Sequence, residues 1–466
     1  MRPFQDTVAQ LWQRGEFFSP AAPVAIARAP GRLDLMGGND DYTGGLVFEA
    51  TIREATWAAA QLRPDRRVLV RNETAQAQGW QGLVERQLSD LAAADDVRAW
   101  AGRSAGTRWT AYVLGNLHYL VKHYRDRITS GIQIYLDSDV PLNKGVSSSA
   151  AVEVSVMKAA AHAYGIELAG LELAEACQWV ENVIAQSACG IMDQITSVLG
   201  DEGHILPLVC QPCIPEDLVR LPDAVQCWAI DSGVSHEVSG LEYEAARAAA
   251  FMGYKMICDW EGLPVTRDTS RQIPRYTDPR WNGYLANLAR SVFHERYERR
   301  LPEQMTGADF LRQAGPHVDP YTAVHDDVTY AIRANTRYAV EENQRVQLFA
   351  QLARSPTSAH SERTLALMGD LMYQSHYAYS ECGLGAQRTD QLIALAREEG
   401  PGRGILGAKI TGGGAGGTVA ILGQTGAEDA LERIINRYAD ATGQPPYVFA
   451  GSSPGADRFG IVVLRP

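Results

Sequence analysis

The segment Pro141-Leu142-Asn143-Lys144-Gly145-Val146-Ser147-Ser148-Ser149-Ala150-Ala151 joins two stretches of different pattern. Gly131 to Leu136, just before it, reads as a strand, and a long helix opened by the three serines is predicted over Val146 to Tyr164. Small side chains let backbone N–H groups approach a phosphate, and the start of a helix supplies partial positive charge. A plain serine N-cap would need only one hydroxyl. Three serines followed by two alanines exceed that need, so the segment predicts a phosphate-binding loop.

An upstream loop carries opposite charges close together. It runs from Arg28 to Tyr42 as RAPGRLDLMGGNDDY, after a strand predicted over Pro23 to Arg28 and a turn at Pro30-Gly31. A fixed positive charge at Arg32 beside the carboxylate of Asp41 suits a transferring phosphoryl group next to a polyhydroxylated substrate. If the loop stood alone, a solvated acidic turn would be the better explanation of its composition.

Two acidic residues further along the chain could complete a site. Glu181 falls on a helix predicted over Leu171 to Ala188, and Asp193 follows in the run CGIMDQ, residues 189–194. One carboxylate could hold magnesium while the other faces a substrate hydroxyl. Taken singly, each is more often a surface acid.

Several familiar motifs are absent, or are followed by the wrong kind of secondary structure for their usual function. The run KITGGGAGGT, Lys409 to Thr418, matches GxGxxG, but a strand follows it where a dinucleotide site needs a helix. Gly451 to Gly455 matches GxSxG, yet a predicted strand follows there too, so we interpret it as a tight turn. Cys210 and Cys213 form a CxxC without a second pair, which indicates coincidence. No GxxxxGK[ST], HRD or DFG occurs.

Bulk composition narrows the class of protein. The chain has 466 residues, a length that usually divides into two domains, and 45% of them are hydrophobic. The formal net charge is -12 and no basic stripe occurs, so we expect no nucleic-acid or membrane partner. Seven scattered cysteines and no export or membrane-spanning segment predict a cytoplasmic protein.

The coarse pattern alternates helices and strands, which predicts a mixed α/β protein. Residues 260–343 are rich in proline and charge, and we interpret them as an elaboration of the second domain. The other predicted helices are residues 4–12, 109–125, 241–259 and 427–440, and the other predicted strands are 46–62, 67–72, 205–210, 225–231 and 459–464, with two more bracketing the glycine turn within 404–422.

In this order, these segments resemble the signature motifs of the GHMP kinase superfamily, specifically its galactokinase branch. The upstream loop resembles GRxNLxGEHxDYxGG, the serine loop PxGxGLSSSAA, and the late glycine run TGGGxGG. The stretch from Asp231 to Tyr243 is similar to the galactokinase segment that closes over the sugar. The resemblance implies two α/β domains, expected at 1–205 and 206–466, with the active site in the cleft between them.

The resemblance also implies roles for individual residues, with ATP, Mg²⁺ and a monosaccharide as ligands. Asp193 would accept or orient the proton of the anomeric hydroxyl, Arg32 would neutralise developing charge, and Ser149 and Glu181 would bind Mg²⁺. The implied nucleotide contacts are Asn143, Lys144, Gly145, Val146, Ser147, Ser148, Ser149, Ala150, Trp109, Gly413 and Gly414, and the implied sugar contacts are Asp41, Gly38, Asn39, Tyr243 and Gly190.

Two departures from the branch concern the choice of sugar. Gly38-Asn39 stands where galactokinases have Glu-His, and the phosphate loop reads Asn143-Lys144-Gly145; both features resemble the kinase half of plant L-arabinokinase. L-arabinopyranose lacks the carbon whose hydroxyl the Glu-His pair binds, so losing that pair avoids unpaired buried groups. Galactose stays open as the substrate, as does a uronic acid whose carboxylate Gly38 would accommodate. Catalytically silent sugar sensors share the fold, but they lose residues in the serine-alanine stretch, where Ser149-Ala150 is intact.

Overall fold

The computed structural model describes residues 4–234, 241–270, 274–355 and 361–466. Its strands are β1 Val24–Met36, β2 Leu46–Arg63, β3 Arg67–Asn72, β4 Leu83–Gln87, β5 Gly131–Ser138, β6 His204–Val209, β7 Ile214–Pro215, β8 Val219–Arg220, β9 Val225–Asp231, β10 Thr266–Asp268, β11 Arg275–Thr277, β12 Met305–Thr306, β13 Thr329–Tyr330, β14 Ile405–Ile410, β15 Thr418–Gln424, β16 Val448–Ala450 and β17 Val462–Leu464.

Its helices are α1 Phe4–Gln13, α2 Glu73–Ala77, α3 Ala94–Ala101, α4 Thr110–His123, α5 Ser148–Ala163, α6 Gly170–Trp179, α7 Met192–Leu199, α8 Leu241–Trp260, α9 Arg290–Val292, α10 Gly307–Ala314, α11 Ile332–Arg354, α12 Glu362–Glu381, α13 Gln387–Glu399, α14 Glu428–Thr442 and α15 Ala456–Phe459. The predicted mixture of helices and strands is confirmed. Within the described ranges, no helix has the length and apolar character needed to cross a bilayer.

A nine-stranded sheet is built around β1 and β2. Its main path is β17-β1-β2-β5-β3-β4, and β6 pairs with the first half of β2. β1 is buried along its whole length because α5 and α7 cover it. A second, four-stranded sheet has the order β14-β15-β9-β16. Although β17 lies near the end of the sequence, it pairs with the start of β1, so Val24 faces Leu464.

The turn predicted at Pro30-Gly31 is wrong, because β1 continues through it as a bulge. Pairing with β2 shifts register between Pro30 and Arg32. A bulge tolerates proline, which has no N–H to donate to the ladder. A Cβ on Gly31 would lie 2.5 Å from the carbonyl oxygen of Val146, so glycine lets the predicted phosphate loop pack directly on β1. The N–H of Arg32 then donates to that same carbonyl at 3.1 Å.

Two other boundaries differ from expectation. The helix predicted over Leu171 to Ala188 ends as α6 at Trp179 and continues as a π-helical segment, Val180–Ala185, that carries Glu181. The residues after Gly455 form the four-residue helix α15 before β17 begins, where we predicted only a strand. Ser453 of the GxSxG match is buried and donates to the carbonyl of Ile52, which fits the tight-turn interpretation.

The elaboration, residues 260–343, packs on α8. Its own short strands form two small antiparallel pairs, β10 with β11 and β12 with β13. Phe293, Tyr297, Phe310 and Tyr330 from this segment are buried in one apolar cluster with the side chains of α8. Tyr42, from the loop after β1, packs against that cluster, so the elaboration reaches the region of the predicted site.

A buried ion pair joins the two sheets. The Lys409 ammonium on β14 lies 2.6 Å from a carboxylate oxygen of Asp34 on β1, and both side chains are wholly inaccessible to solvent. The N–H of Asp34 also donates to the hydroxyl of Thr411 at 2.8 Å. The end of β1 is therefore fixed to the glycine run that follows β14.

Candidate active site

A cleft of about 690 Å³ opens where the bulged end of β1, the phosphate loop, the π-helical segment and the start of α7 meet. Most of the residues predicted for the site line it. These are Arg32, Asn39, Asp41, Trp109, Asn143, Lys144, Gly145, Ser147, Ser148, Ser149, Glu181, Gly190, Asp193, Tyr243 and Gly413. Four others, Gly38, Val146, Ala150 and Gly414, do not line it.

Arg32 and Asp193 meet in the cleft although 160 residues separate them in the sequence. Arg32 Nε and Nη2 both lie 2.8 Å from Asp193 Oδ1, and Arg32 Nη1 donates to the carbonyl of Gly145 at 2.7 Å. The arginine side chain is 4% exposed, whereas that of Asp193 is 20% exposed. The guanidinium is therefore fixed between the phosphate loop and a carboxylate that ligands can reach.

Glu49 of β2 adds a second acid beside Arg32. One of its oxygens lies 3.5 Å from Arg32 Nε, and neither oxygen has a hydrogen-bond partner among the described residues. Complete burial, followed by the charge of Asp34, raises the pKa of Glu49 well above its usual range. Burial alone would lower the pKa of Arg32, but Asp193 and Glu49 raise it above its ordinary value, so the arginine stays charged.

The phosphate loop alternates its backbone conformation. Asn143, Gly145 and Ser147 have φ of 57°, 69° and 59°, and successive residues of alternating hand form a concave nest of N–H groups. Ser147 precedes the first turn of the 16-residue helix α5, and its hydroxyl is buried without a partner in the part of the chain that the structure describes. A helix start, a nest and an unpaired hydroxyl together fit a phosphate group.

Lys144 extends from the same loop to the second sheet. Its ammonium lies 3.0 Å from Asp231 Oδ2 at the end of β9, and its carbonyl accepts a hydrogen bond from the hydroxyl of Thr418. The loop is thus fixed to β1 of the first sheet and to β9 and β15 of the second.

Ser149 and Glu181 stand side by side, as a magnesium site requires. The Ser149 hydroxyl donates to the Glu181 carboxylate, and Gln194 Nε2 donates to Glu181 Oε2 at 2.5 Å. Burial, followed by the charge of Asp193, raises the pKa of Glu181 to about 7. A hydroxyl and a carboxylate are oxygen ligands that suit Mg²⁺, which usually takes few protein ligands and completes its shell with water and phosphate oxygens. The described residues contain no cluster of three or more metal-ligating side chains.

The other end of the cleft presents hydrogen-bonding groups suited to a polyhydroxylated ligand. Asn39 Nδ2 is buried and has no partner among the described residues. Asp41 lies against Gly190, where a Cβ would stand 1.8 Å from Asp41 Oδ2, so residue 190 must be glycine. Burial, followed by the charge of Asp193, raises the pKa of Asp41 to about 7. Tyr243 closes this end, and residues 235–240 of the segment predicted to cover the sugar lie outside the described residues.

The space beside Gly38 is taken by the protein itself, and the predicted contact of Gly38 with the sugar stays a prediction. A Cβ on Gly38 would lie 2.4 Å from the hydroxyl of Tyr379 on α12. That hydroxyl donates to the carbonyl of Gly412 and accepts from the N–H of Asn39. Glycine at this position therefore accommodates Tyr379 rather than a substituent of a ligand.

The three other predicted residues that do not line the cleft pack against neighbouring protein groups. Val146, in the loop before α5, and Ala150, on the inward side of the first turn of α5, are both buried in the core beneath the loop. Gly414 packs on Leu384, whose Cβ would stand 2.8 Å from a Cβ added to the glycine. Trp109 does border the cleft, and its buried indole Nε1 has no partner among the described residues.

Four residues that sequence reasoning missed support the site. Glu49, Glu153 and Gln194 are fully buried polar groups, and Gln194 bridges the carboxylates of Glu153 and Glu181. Tyr379 is the fourth. A lone glutamate in the otherwise apolar runs LVFEA and AVEVSVM was a usable signal for Glu49 and Glu153, because an unpaired buried acid is rare.

Comparison with known proteins gives matches over most of the chain. Residues 111–201 match the GHMP kinases N terminal domain, 351–440 the GHMP kinases C terminal domain, and 15–62 the galactokinase galactose-binding signature. An L-arabinokinase of Arabidopsis thaliana is 35% identical over 98% of this chain, which spans 48% of the length of that relative. A galactokinase of Chloroflexus aggregans is 30% identical, with 92% of this chain and 93% of the relative covered.

Solved structures show the same fold. The galactokinase of Lactococcus lactis complexed with galactose superposes with a TM-score of 0.73 at 21% identity, covering 98% of this chain and 99% of that one. A mevalonate kinase superposes with a TM-score of 0.57 at 13% identity, covering 92% and 99%.

Proposed function

The chain belongs to the GHMP kinase family, in its galactokinase branch, and from this premise we propose that it transfers the γ-phosphate of ATP to the anomeric hydroxyl of a monosaccharide. The observation that carries the proposal is the pairing of Arg32 with Asp193 between the phosphate loop and the polar end of the cleft. This pair stands where a phosphoryl group held by the loop would face a hydroxyl held near Asp41.

Asp193 would receive or orient the proton of the attacking hydroxyl. Its carboxylate is the more exposed partner of the Arg32 pair, so it can reach a ligand, and Arg32 fixes its position. Arg32 Nη1, bound to the carbonyl of Gly145, keeps the guanidinium next to the loop, where it offsets charge that develops on the transferring group. Phosphoryl transfer requires mainly alignment and electrostatic stabilisation, so these two side chains suffice without a covalent intermediate.

Ser149 and Glu181 would hold Mg²⁺, and the phosphate loop would hold the nucleotide phosphates. Mg²⁺, when bound, would neutralise charge on the β- and γ-phosphates. The nest at Asn143 to Ser147 supplies N–H groups to the phosphates, and Trp109 offers its ring and its unpaired Nε1 at the far side of the cleft. The seven free thiols fit the cytoplasm as the place where the enzyme works.

L-arabinose is the sugar that we propose as the preferred acceptor. Tyr379 fills the volume beside Gly38, so that position offers no room for a hydroxymethyl or a carboxylate substituent. L-arabinopyranose has neither group. The identity with the L-arabinokinase of Arabidopsis thaliana points to the same sugar, whereas the galactokinase relative makes D-galactose the second candidate.

ADP release from Mg-ATP with L-arabinose, D-galactose or D-galacturonate, one at a time, tests both levels of the proposal. We expect the highest kcat/KM for L-arabinose and little turnover of D-galacturonate. A clear preference for D-galactose would overturn the choice of L-arabinose, but the proposal that the protein is a sugar kinase would stand. Sugar binding by calorimetry without any ADP release would instead indicate a sugar sensor and would overturn the kinase proposal.

A further inference from the structure

A second cavity of about 460 Å³ adjoins the cleft, and the elaboration supplies much of its wall. The two spaces meet at Asp41, Cys189 and Gly190, which line both. Asp193 lines only the cleft, so a sugar that reaches from Asp193 to Asp41 has its far side at the mouth of the second cavity. The volume lies within the roughly 300–1,000 Å³ that small-molecule sites occupy.

Five aromatic rings contribute to the lining of this second cavity. They are Tyr42, Phe251, Tyr276, Tyr284 and Tyr321. A tyrosine combines a flat apolar face with a hydrogen-bonding tip. Such a surface matches a sugar ring, which has apolar C–H faces and a rim of hydroxyls.

Both arginines that line the cavity already have partners. Arg247 makes a two-pronged ion pair with Asp319, from Nε at 2.8 Å and from Nη2 at 2.9 Å, and its side chain is 4% exposed. Arg275 donates to the hydroxyl of Tyr284, with Asp268 3.8 Å from its Nε. Asp41, Glu175 and Asp319 also line the cavity, so a free anion would lie among carboxylates, and the cavity suits a neutral ligand better than an anionic one.

Three polar atoms of the lining are buried and lack hydrogen-bond partners among the described residues. They are Arg247 Nη1, Arg275 Nε and the hydroxyl of Tyr321. Native proteins rarely leave such atoms unpaired, so these atoms are available to hydrogen-bond a ligand that enters the cavity. The two arginine nitrogens can only donate, and sugar hydroxyls and ring oxygens are acceptors of the required kind.

We propose that the second cavity is a subsite for a neutral sugar unit attached to the sugar that is phosphorylated, so that the enzyme also acts on the reducing end of a disaccharide. The inference rests on the proposed function, since it assigns the extent of the same substrate. The chemistry is unchanged: the anomeric oxygen forms a bond to the γ-phosphorus, the bond from that phosphorus to the bridging oxygen of ATP breaks, and the hydroxyl proton leaves toward Asp193.

The test compares kcat/KM for D-galactose and L-arabinose with kcat/KM for β-1,3- and β-1,4-galactobiose and the corresponding arabinopyranobioses. We expect at least one disaccharide to be used about as well as its monosaccharide, or better. Tyr321→Phe removes one hydrogen-bonding group and should lower disaccharide kcat/KM about three- to tenfold while leaving the monosaccharide unchanged. Val318→Phe, which narrows the cavity, should act in the same direction and more strongly. Tyr377→Phe, at a half-exposed tyrosine of α12, is the matched control.

The possible outcomes separate this inference from the proposed function. Turnover of monosaccharides with no disaccharide used, or equal losses on both substrates in Tyr321→Phe and Val318→Phe, would overturn the subsite and leave the sugar kinase standing. An enzyme that turns over no sugar of either size would overturn both.

Discussion

At the scale of single residues, Asp193 has the position from which a substrate proton can be taken or oriented. Asp193→Asn keeps the shape but removes the charge, so we expect kcat to fall by about 10²- to 10⁴-fold. ATP affinity should change little, because Asp193 contacts the phosphate loop only through Arg32, and asparagine can still accept a hydrogen bond from Arg32. Steady-state ADP release and nucleotide titration measure the two effects. Asp429→Asn, at an exposed acid of α14, is the control, and substantial activity in Asp193→Asn would contradict the mechanism.

The buried Glu181 makes stability depend on pH. Its folded-state pKa of about 7 exceeds the roughly 4.3 of an exposed glutamate. Between these values, the unfolded chain has lost its proton while the folded protein retains it, so stability falls as pH rises toward 7. Glu181→Gln removes this loss. The melting temperature of the variant minus that of the wild type should therefore increase by about 2 °C or more from pH 5 to pH 8 in magnesium-free buffer.

Glu432, an exposed glutamate of α14, serves as the comparison for that experiment. Glu432→Gln should show the same difference from the wild type at both pH values. A difference for Glu181→Gln that is equally independent of pH would mean that its carboxyl titrates normally in the folded protein.

At this scale, the sequence predicted the site residues that lie within motifs. It did not predict the buried residues that support the site from other parts of the chain. The placement of Arg32, Asp41 and Asp193 in one cleft was predictable because each motif has a characteristic chemistry. Tyr379 was not, since its position depends on how α12 packs on the loop after β1. The catalytic, metal-binding and ligand-binding roles stay predictions.

At the scale of elements, the bulge in β1 determines how closely the phosphate loop packs on the strand. Gly31→Ala would place a methyl group 2.5 Å from the Val146 carbonyl and 2.8 Å from Ile52 Cδ1. We expect a loss of about 1–3 kcal/mol in the free energy of unfolding, together with weaker ATP binding as the loop is displaced. Urea unfolding and nucleotide titration give the two values.

Gly402→Ala is the matched control, because a Cβ there would meet no atom of the described residues within 4 Å. It should leave both values near those of the wild type. Wild-type ATP affinity in a destabilised Gly31→Ala would show that the bulge does not position the loop.

Most helices and strands could be predicted from periodicity, including α5 and the strands on either side of the late glycine run. The failures occurred where tertiary contacts override local signals. Pro30-Gly31 has the composition of a turn, but β2 and the phosphate loop hold it in a strand. The π-helical segment has no local signature, although it determines the direction of Glu181.

At the scale of the whole molecule, the Asp34–Lys409 pair connects the two sheets. Lys409→Met leaves the Asp34 carboxylate buried without its cation, so we expect a loss of about 3–5 kcal/mol in the free energy of unfolding. Adding Asp34→Asn should recover part of that loss, because asparagine keeps the acceptor for the N–H of Gly38 and carries no charge. Urea unfolding of the wild type, both single variants and the double variant measures the coupling, and simple additivity would contradict it.

Length and resemblance predict two domains, whereas the contacts between the two sheets could not be predicted from the sequence. The boundaries at 1–205 and 206–466 stay a prediction. The sequence offered no signal that Lys409 pairs with Asp34, or that the elaboration would form a cavity beside Asp41. Both depend on how distant segments pack, which local patterns do not encode.

The pairing of β17 with β1 matters for how the protein is made. A ribosome adds about 5–20 residues per second, so roughly 20 to 90 s pass between the synthesis of Val24 and that of its partner Leu464. During that interval the start of β1 is an unpaired edge strand of the nascent sheet. The free backbone N–H and C=O groups of an edge strand can pair with other polypeptide chains. Translation of this protein therefore exposes it to misassociation until residues 462–464 emerge, which makes early chaperone engagement advantageous.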